Sequence, residues 1–456
     1  MSVLPDRFLN KKHPHSTANA TSYVSRQVPL NVQAAPASTT FNFRIGTLPN
    51  TFVDPSASFL KFTVENTTDN CTFELGAAGA PAMIETITLL NSGSQLSQYQ
   101  NYGVFRTMKN SLNASSDWLM GPGSVMQGTQ PDDNDDLGLR GEQIAPGTSN
   151  ERTFVDPICN HTSLFNCSKY ISLDLVDNLD LRYTFGDAFY GGAWSETGAN
   201  NEIANLSDSA LKIKSLELVL TLVQLDGSTA SQLRAAHPDG NICYECRGIG
   251  RISATVPQGV SAHNVNLGLG YSSLMALNGV MLPLKKGDIV AGRQNDSVVH
   301  KVDHHNSTFV SNYLKNWLFL IDGSPIENQR PIRGDPAEIA AFQQIATGNL
   351  HKFDGQFCDY TVVPSYENDA ETGAYLTGQK GYVLSQELCI YKQKSGHWAD
   401  SEMAVMCEGR GTLSSSTACA LEFSESSGEQ VQLEIFPEYR QLIVLDNNTK
   451  TYRVSQ

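Results

Sequence analysis

The chain has 456 residues, a formal net charge of −15 and 17% charged residues, against about 25% in typical soluble globular proteins. This length allows two or three domains, and no stretch approaches the roughly 18 apolar residues that span a bilayer. The acidic balance argues against a protein whose main surface binds nucleic acid, because such surfaces are basic.

Residues 1–40 are predicted to form an extended, basic N-terminal arm. They are mostly polar, and they show no hydrophobic period before Phe41. Their net charge is +3, which leaves −18 for the rest of the chain. No apolar block follows Arg7, Lys11 and Lys12, so the segment does not have the pattern of a secretory signal.

From Phe41 onward, apolar and polar residues alternate as they do in half-buried strands. The first two strands are predicted at 41–45 and 59–64, joined by a rigid corner that contains Pro49 and Pro55. Further strands are predicted at 170–185, 211–226, 249–256, 264–270, 273–282, 314–321, 381–391, 403–408, 418–424, 430–436 and 440–446.

Helical patterns are few. They are predicted at 95–112, 228–237 and 335–350, and the third has Pro336 at a position suited to a first helical turn. The polar stretches 113–152 and 186–208 are predicted to be long loops at the ends of the β domains.

Two segments about 230 residues apart share one order of features. Each of 86–98 and 317–329 has an apolar strand, a turn of small residues and then the approach to a helix. Since this spacing is close to half the chain, it indicates two copies of one β domain. We predict an all-β fold of two tandem eight-stranded jelly rolls, with a few short helices and long end loops.

This fold divides the chain into four parts. After the arm at 1–40, the first jelly roll is predicted at 41–227, a linker at 228–248 and the second jelly roll at 249–456. The nine cysteines are odd in number and irregularly spaced, which favours reduced thiols inside a cell over a disulfide framework.

Motifs that could carry chemistry are weak. Cys243 and Cys246 form a Cys-x-x-Cys pair, but a structural zinc site needs four ligands and no second pair exists, so two thiols in a linker are favoured. The stretch 303–305 (Asp-His-His) and the acidic stretch 131–136 are predicted to be solvated loops. The Ser-x-x-Lys pattern at 209–212 lacks the companion motifs of its enzyme class.

No phosphate-binding glycine loop, His-Glu-x-x-His motif or Gly-x-Ser-x-Gly motif occurs. We therefore predict no catalytic, cofactor-binding or metal-binding residues, no cofactor and no enzymatic activity.

Five segments together resemble one protein family. They are LPNTFVDPSASFLKFTV (48–64), WLFLIDGSPIENQRPI (317–332), PAEIAAFQQI (336–345), GRGTLSSSTACALEF (409–423) and FPEYRQLIVLDNNTKTYRV (436–454). They are similar to the double jelly-roll major capsid proteins of tailless icosahedral double-stranded DNA viruses, of the polinton-like virus and virophage type. The first half beyond residue 112 departs from this pattern.

The resemblance implies a structural protein of the virion, without enzymatic activity, that forms homotrimers with six-fold pseudo-symmetry and tiles an icosahedral shell. Its partners would be further copies of itself, neighbouring capsomers, and penton and minor capsid proteins, with no small-molecule substrate. The basic arm would suit the inner face of the shell, towards genome or membrane. The acidic remainder would keep free capsomers soluble.

Two other functions stay open. A viral spike or glycan-binding jelly-roll module could stack sugars on aromatic loop residues, for which the candidates are Trp118, Phe189, Tyr190 and Trp194. Packing of these residues against the loops is the favoured interpretation. A jelly-roll metal oxygenase would need a facial triad of two histidines and a carboxylate, and the ten histidines do not have that spacing.

Overall fold

The computed structural model of the chain describes residues 20–76, 78–114, 116–130, 140–147, 150–167, 169–174, 176–197, 205–235, 241–284, 288–291, 298–302, 309, 312–321, 323–325, 332–333, 383–387, 417–423, 427, 430, 431–446 and 449–455. The predicted helix at 335–350 and the predicted strand at 403–408 lie outside these residues, as do the stretches 131–136 and 303–305.

The first half contains strands β1 (Ala20–Gln27), β2 (Ala35–Pro36), β3 (Thr40–Ile45), β4 (Thr51–Asn66), β5 (Cys71–Leu75), β6 (Ile84–Asn91), β7 (Ser94–Gln100), β8 (Thr129–Gln130), β9 (Arg140–Gly141), β10 (Gln143–Ile144), β11 (Glu151–Pro157), β12 (Ile171–Ser172), β13 (Leu179–Phe185), β14 (Gly192–Thr197) and β15 (Leu211–Leu225). Its helices are α1 (Tyr102–Asn113), α2 (Ser116–Met120) and α3 (Pro122–Gln127), and α4 (Gly227–Ala235) follows β15.

The second half contains strands β16 (Ile242–Ile249), β17 (Ile252–Val256), β18 (Ala262–Asn266), β19 (Leu274–Pro283), β20 (Asp288–Ala291), β21 (Val298–Val302), β22 (Leu314–Ile321), β23 (Ser324–Pro325), β24 (Ile332–Arg333), β25 (Leu384–Glu387), β26 (Ala418–Phe423), β27 (Val431–Asp446) and β28 (Thr451–Ser455). In the described part of the chain, no helix is long and apolar enough to cross a membrane.

The first half is built on two antiparallel sheets that face each other. One has the order β1-β15-β4-β11, with β2 and β12 attached, and the other has the order β3-β13-β6-β7. Phe62 of the first sheet meets Phe185 of the second with 5.3 Å between ring centroids, and Phe41 meets Phe185 at 5.7 Å. The alternating aromatic residues therefore fill the space between the sheets, as the period of two predicts.

The corner predicted around Pro49 and Pro55 is shorter than expected. Pro55 lies within β4, at a point where the register shifts between Asp54, which pairs with Thr221, and Phe59, which pairs with Val219. Asp54 Oδ1 accepts a hydrogen bond from Ser56 N at 3.0 Å. The bulge accommodates a proline, which has no N–H to offer to the sheet, so the strand continues past it.

The helix predicted at 95–112 begins later than expected, because Ser94–Gln100 forms β7. Ser92 and Gly93 have φ angles of 49° and 82°, and this tight turn folds β7 back on β6 as a hairpin. In the second half, Gly323 has a φ of 70° between the paired strands β22 and β23. The two segments that resemble each other in sequence thus form corresponding hairpins.

The second half repeats the sandwich arrangement. One sheet has the order β16-β27-β19-β25, with β17 and β28 on β27, and the other has β18-β26-β22-β23, with β24 on β22. Trp317 and Phe319 of β22 share a core with Leu277 of β19 and Leu433 of β27. The strands predicted at 430–436 and 440–446 are one continuous strand of 16 residues.

Two segments predicted to lie outside the jelly rolls contribute strands. Ala20–Gln27, in the predicted arm, pairs with β15, and Ile242–Ile249, almost all within the predicted linker, pairs with β27. Each strand adds a row of backbone hydrogen bonds at the edge of its sheet. The apolar periodicity of the sequence does not predict these two strands, because they are polar or short. The predicted helix at 228–237 is confirmed as α4. The domain boundaries themselves stay predictions.

Candidate functional site at the contact between the two halves

Strand β27 is buried on both faces. Leu433 and Ile435 belong to the core of the second half, so the alternate residues Glu434, Phe436 and Glu438 lie on the opposite face. These three are 0%, 0% and 1% exposed. The ring of Phe436 lies 5.6 Å from that of Phe105 in α1. The first half of the chain therefore covers the second face of this sheet.

Glu438 is the centre of an ion-pair network in this contact. Its carboxylate pairs with Lys109 of α1 and with Arg247 of β16. Asn278 Nδ2 donates to its Oε1 at 2.7 Å, and Ser385 Oγ donates to Asn278 Oδ1 at 2.7 Å. A carboxylate buried without partners would be strongly destabilising. Lys109 from the first half thus helps to satisfy a charge that the second half buries.

Glu434 has a different partner on the same face. Arg251 Nε donates to its Oε2 at 2.7 Å and Arg251 Nη2 donates to its Oε1 at 2.8 Å, which is the two-pronged geometry that suits guanidinium and carboxylate. The hydrogen bond to Glu434 raises the pKa of Arg251, so this guanidinium keeps its charge across the whole physiological pH range.

Four uncharged hydrogen bonds add to the contact. Tyr452 N donates to Asn91 Oδ1 at 2.7 Å, and Tyr452 Oη donates to Ser172 O at 2.8 Å. Ser172 N donates to Tyr244 Oη at 3.0 Å, and Tyr99 Oη donates to the carbonyl of Arg247 at 3.2 Å. Burial raises the pKa of Tyr244 to about 12, so this phenol stays protonated. Together with the ion pairs, these bonds join the halves into one block.

A second buried polar cluster lies inside the first half, around Asp156 and His161. His161 Nε2 lies 2.7 Å from Asp156 Oδ2, and His161 Nδ1 lies 2.7 Å from Tyr183 Oη. Gln127 Nε2 donates to Asp156 Oδ1 at 2.7 Å, and Arg106 Nη2 lies 3.9 Å from the same oxygen.

This Asp156–His161 cluster has the residue types of an acid–base site but not the access. His161 is 0% exposed and Asp156 is 1% exposed, so a solute cannot reach them in this conformation. Burial, followed by the nearby Asp156 carboxylate, raises the pKa of Tyr183, which keeps its hydroxyl available as a donor. The arrangement is a buried hydrogen-bond network in a core, in which Asp156 and His161 both have partners.

The Cys-x-x-Cys pair does not form a joint site. Cys243 is exposed and Cys246 is buried, because residues three apart on β16 lie on opposite faces of the strand. Among the described residues, no three His, Cys, Asp or Glu side chains are grouped so as to hold a metal ion. Cys246 Sγ instead donates to the carbonyl of Tyr244 at 3.5 Å.

The aromatic residues considered for sugar stacking are occupied in packing. Trp194 is 0% exposed; its Nε1 donates to the carbonyl of Ala188 at 2.9 Å and its ring lies 5.0 Å from that of Phe73. Tyr190 is 7% exposed and donates to Asn101 Oδ1 at 2.6 Å. Trp118 and Phe189 are half-buried. These side chains therefore do not offer an open stacking platform.

The Ser-x-x-Lys pattern is also without a catalytic arrangement. The hydroxyl of Ser209 lies 2.8 Å from that of Ser207, and Lys212 Nζ lies 4.0 Å from a carboxylate oxygen of Glu65. The lysine thus has a carboxylate partner on the surface of the sheet.

An apolar surface lies at the start of the described chain. Val24, Val28 and Leu30 are 59%, 53% and 63% exposed, and Tyr23 and Val32 are 39% and 38% exposed. Exposed apolar residues grouped along one short segment mark interaction surfaces more often than isolated ones do. We refer to Tyr23, Val24, Val28, Leu30 and Val32 as the N-terminal apolar surface.

Comparison with known proteins gives no sequence relative. No protein-family model matches the chain, and no curated protein matches it.

Solved structures are nevertheless similar over almost the whole chain. The crystal structure of PBCV-1 VP54, fitted into a reconstruction of the virophage Sputnik, has 9% identity and a TM-score of 0.60, with 98% of this chain and 99% of that chain covered. A quasi-atomic model of the PBCV-1 virus capsid has 11% identity and a TM-score of 0.54, with 98% and 99% covered. The Faustovirus major capsid protein has 10% identity and a TM-score of 0.54, with 96% and 93% covered.

These similar structures are double jelly-roll major capsid proteins. The predicted fold class is confirmed: the chain has the all-β, double jelly-roll fold, in antiparallel sheets with few helices.

Proposed function

We propose that this chain is a major capsid protein, the structural subunit of an icosahedral virion, and that it works without enzymatic activity or cofactor. The observation that carries the proposal is the match of 98% of the chain to 99% of PBCV-1 VP54 at a TM-score of 0.60. A match of this extent involves both jelly rolls and their mutual placement.

The contact between the halves supports this role physically. A shell subunit has to transmit load between neighbours without bending, and closed symmetric packing requires a fixed shape. The ion pair Glu438–Lys109 and the hydrogen bond from Tyr452 N to Asn91 Oδ1 hold the two sandwiches in one orientation. Three such chains around a three-fold axis present six sandwiches, which is the pseudo-hexameric homotrimer that we propose as the capsomer.

We also propose separate roles for different segments of the chain. The two jelly rolls occupy about 41–227 and 249–456 of the sequence, and β16 adds an edge strand to the second. The N-terminal apolar surface faces a neighbouring copy in the trimer or shell, and the basic residues before Ala20 face inward, towards genome or membrane. Neighbouring capsomers, penton proteins and minor capsid proteins are the further partners.

Among the described residues, the aromatic candidates give no support to the glycan-binding alternative. Trp194 and Tyr190 are buried, so both side chains are committed to packing. Specific binding on a glycan array would reopen this alternative, because a shell protein is not expected to bind glycans.

Size-exclusion chromatography with light scattering tests the proposal directly. We expect a species with three times the chain mass of 49.7 kDa, and we expect electron micrographs of concentrated or native material to contain icosahedral particles or flat hexagonal arrays. A protein that is strictly monomeric at micromolar concentration, and that forms no larger assembly under any condition, would contradict it.

Two truncations of different length test the basic part of the arm and its strand β1 separately. Removal of 1–19 leaves β1 in place, so we expect a folded trimer that assembles poorly into shells, since only the basic part is lost. Removal of 1–36 also takes away β1, which pairs with Leu218–Leu225, and it uncovers the edge of β15. We expect a lower melting temperature and aggregation for this longer truncation. Monomers on gel filtration of the 1–19 truncation would contradict this assignment.

A further inference from the structure

Lys109, Asn278 and Glu438 bring an amine, a carboxamide and a carboxylate to one point of the contact between the halves. Lys109 Nζ, from α1, contacts Glu438 Oε1. Asn278 Nδ2, from β19, donates a hydrogen bond to the same oxygen at 2.7 Å. Two nitrogens held by one oxygen lie at most about 6 Å apart. The side-chain amine of the first half therefore lies close to a side-chain amide of the second.

The carbonyl oxygen of Asn278 has a donor of its own. Ser385 Oγ, from β25, donates to Asn278 Oδ1 at 2.7 Å. A hydroxyl in this position polarises the carbonyl group and stabilises negative charge that develops on its oxygen, as the donors of an oxyanion hole do. The carboxamide is thus fixed at both ends, with its nitrogen on Glu438 and its oxygen on Ser385.

The surroundings of these groups restrict the access of water. Asn278, Ser385 and Glu438 are all buried, and Lys109 Nζ lies 5.8 Å from the centroid of the Phe105 ring. The side chain of Lys109 is 21% exposed, so a small product can leave on that side. Holding an amine and an amide together in this way favours a reaction between groups that hardly react when they meet in water.

We propose that Lys109 and Asn278 form an isopeptide bond that joins the two halves covalently, with Glu438 as the catalytic acid and base. Glu438 takes a proton from the Lys109 ammonium group, and the neutral Nζ attacks Cγ of Asn278. The Nζ–Cγ bond forms and the Cγ–Nδ2 bond breaks. Both protons that Nζ gives up pass through Glu438 to Nδ2, which leaves as ammonium. Atoms and charge balance without a further reactant.

The second oxygen of Glu438 supports this role. Arg247 Nη2 contacts Glu438 Oε2, which holds the carboxylate in place while Oε1 exchanges protons. After the reaction, the new amide nitrogen still carries one hydrogen and can donate it to Oε1, and the charge of Glu438 stays paired with Arg247. The reaction happens once in each chain, so it is a maturation step and not enzymatic turnover.

Intact-mass spectrometry of the full-length chain tests the proposal. We expect the purified protein to be lighter than its sequence mass of 49.7 kDa by one molecule of ammonia. After tryptic digestion, we expect the peptide 107–140 to be linked to the peptide 252–285, because trypsin does not cleave after an acylated lysine. On denaturing gels, the linked chain should migrate faster than an unlinked variant.

Three variants locate the reacting groups. Lys109→Arg keeps a positive charge beside Glu438 but cannot form the bond, so it should show no loss of ammonia. Lys61→Arg is the matched control, because Lys61 Nζ also lies near a carboxylate, 3.7 Å from Glu217 Oε2, and this variant should lose ammonia as the wild type does. Glu438→Gln removes the acid and base and should slow the reaction by about 100-fold or more.

One other reaction gives the same change of mass. Gly279 follows Asn278, and an Asn-Gly pair can lose ammonia by closing to a succinimide. A succinimide leaves the two tryptic peptides unlinked and persists in Lys109→Arg. That result would overturn the proposal, and so would a wild-type chain of full mass both when fresh and after storage. Both outcomes are read from the wild-type chain, so they decide the matter even if a variant folds poorly.

The bond lies within one chain, whereas the proposed capsid function is tested by trimers and particles. A missing bond would therefore remove this inference and leave the proposed capsid function as it stands, and an absence of trimers would do the reverse.

Discussion

Replacing Asp156 with leucine should lower the free energy of unfolding by about 3–5 kcal/mol, the usual cost of removing one partner from a buried charged network. The variant leaves His161 Nε2 and Gln127 Nε2 without the acceptors that lie 2.7 Å away in the wild type. It also leaves the guanidinium of Arg106, whose side chain is 10% exposed, beside an apolar group. Leucine supplies no acceptor for any of them.

The matched control is Asp180→Leu. Asp180 is also a strand aspartate with an arginine partner, but Arg44 is 51% exposed and Asp180 is 22% exposed. Exposed pairs contribute up to about 1 kcal/mol, so this variant should stay near the wild type. Urea unfolding followed by tryptophan fluorescence and circular dichroism compares the two. Equal midpoints for Asp156→Leu and Asp180→Leu would refute the structural role of the Asp156–His161 cluster.

The second large effect is expected at the contact between the halves. Arg251→Ala leaves Glu434, which is 0% exposed, without the two hydrogen bonds at 2.7 and 2.8 Å that satisfy its carboxylate. We expect a loss of about 3–5 kcal/mol, because an unpaired buried charge is left behind. The control is Arg44→Ala, which removes an arginine bonded to Asp180 at 2.8 and 3.4 Å in an exposed position.

A double substitution separates charge from packing. Arg251→Met combined with Glu434→Leu removes both charges and keeps similar volumes, so most of the lost stability should return. Thermal unfolding and limited proteolysis of the four proteins measure this. If the double variant is less stable than Arg251→Ala alone, the loss comes from packing and not from the unpaired carboxylate.

The strand pattern of this protein could be predicted from local sequence. The strand predicted at 314–321 coincides with Leu314–Ile321, and the one at 211–226 with Leu211–Leu225. Buried and less buried residues alternate over most of both segments, and alternation reports which residues face a core. Where local signals compete, prediction was less accurate. The apolar spacing of 95–112 suggested one helix, whereas the turn at Ser92 and Gly93 makes Ser94–Gln100 a strand.

The candidate site could not be predicted in the same way. In β27, Glu434 and Glu438 occupy polar positions of an alternating strand, for which exposure to water is the natural prediction. One signal was available, because Phe436 stands between them on the same face and is apolar. The partner that Glu438 finds in the first half, however, is Lys109, which is far away along the chain.

The amino-acid sequence by itself determined the strands, their inward faces and the repetition of one β domain, because these depend on residues two positions apart and on turns of a few residues. Only the tertiary structure decided which outward faces are covered. It buries Glu434 and Glu438 against the first half and pairs Glu438 with Lys109. Such pairings follow from how two folded sandwiches meet, and the free energy of that contact is spread over residues that have no local relation in the chain.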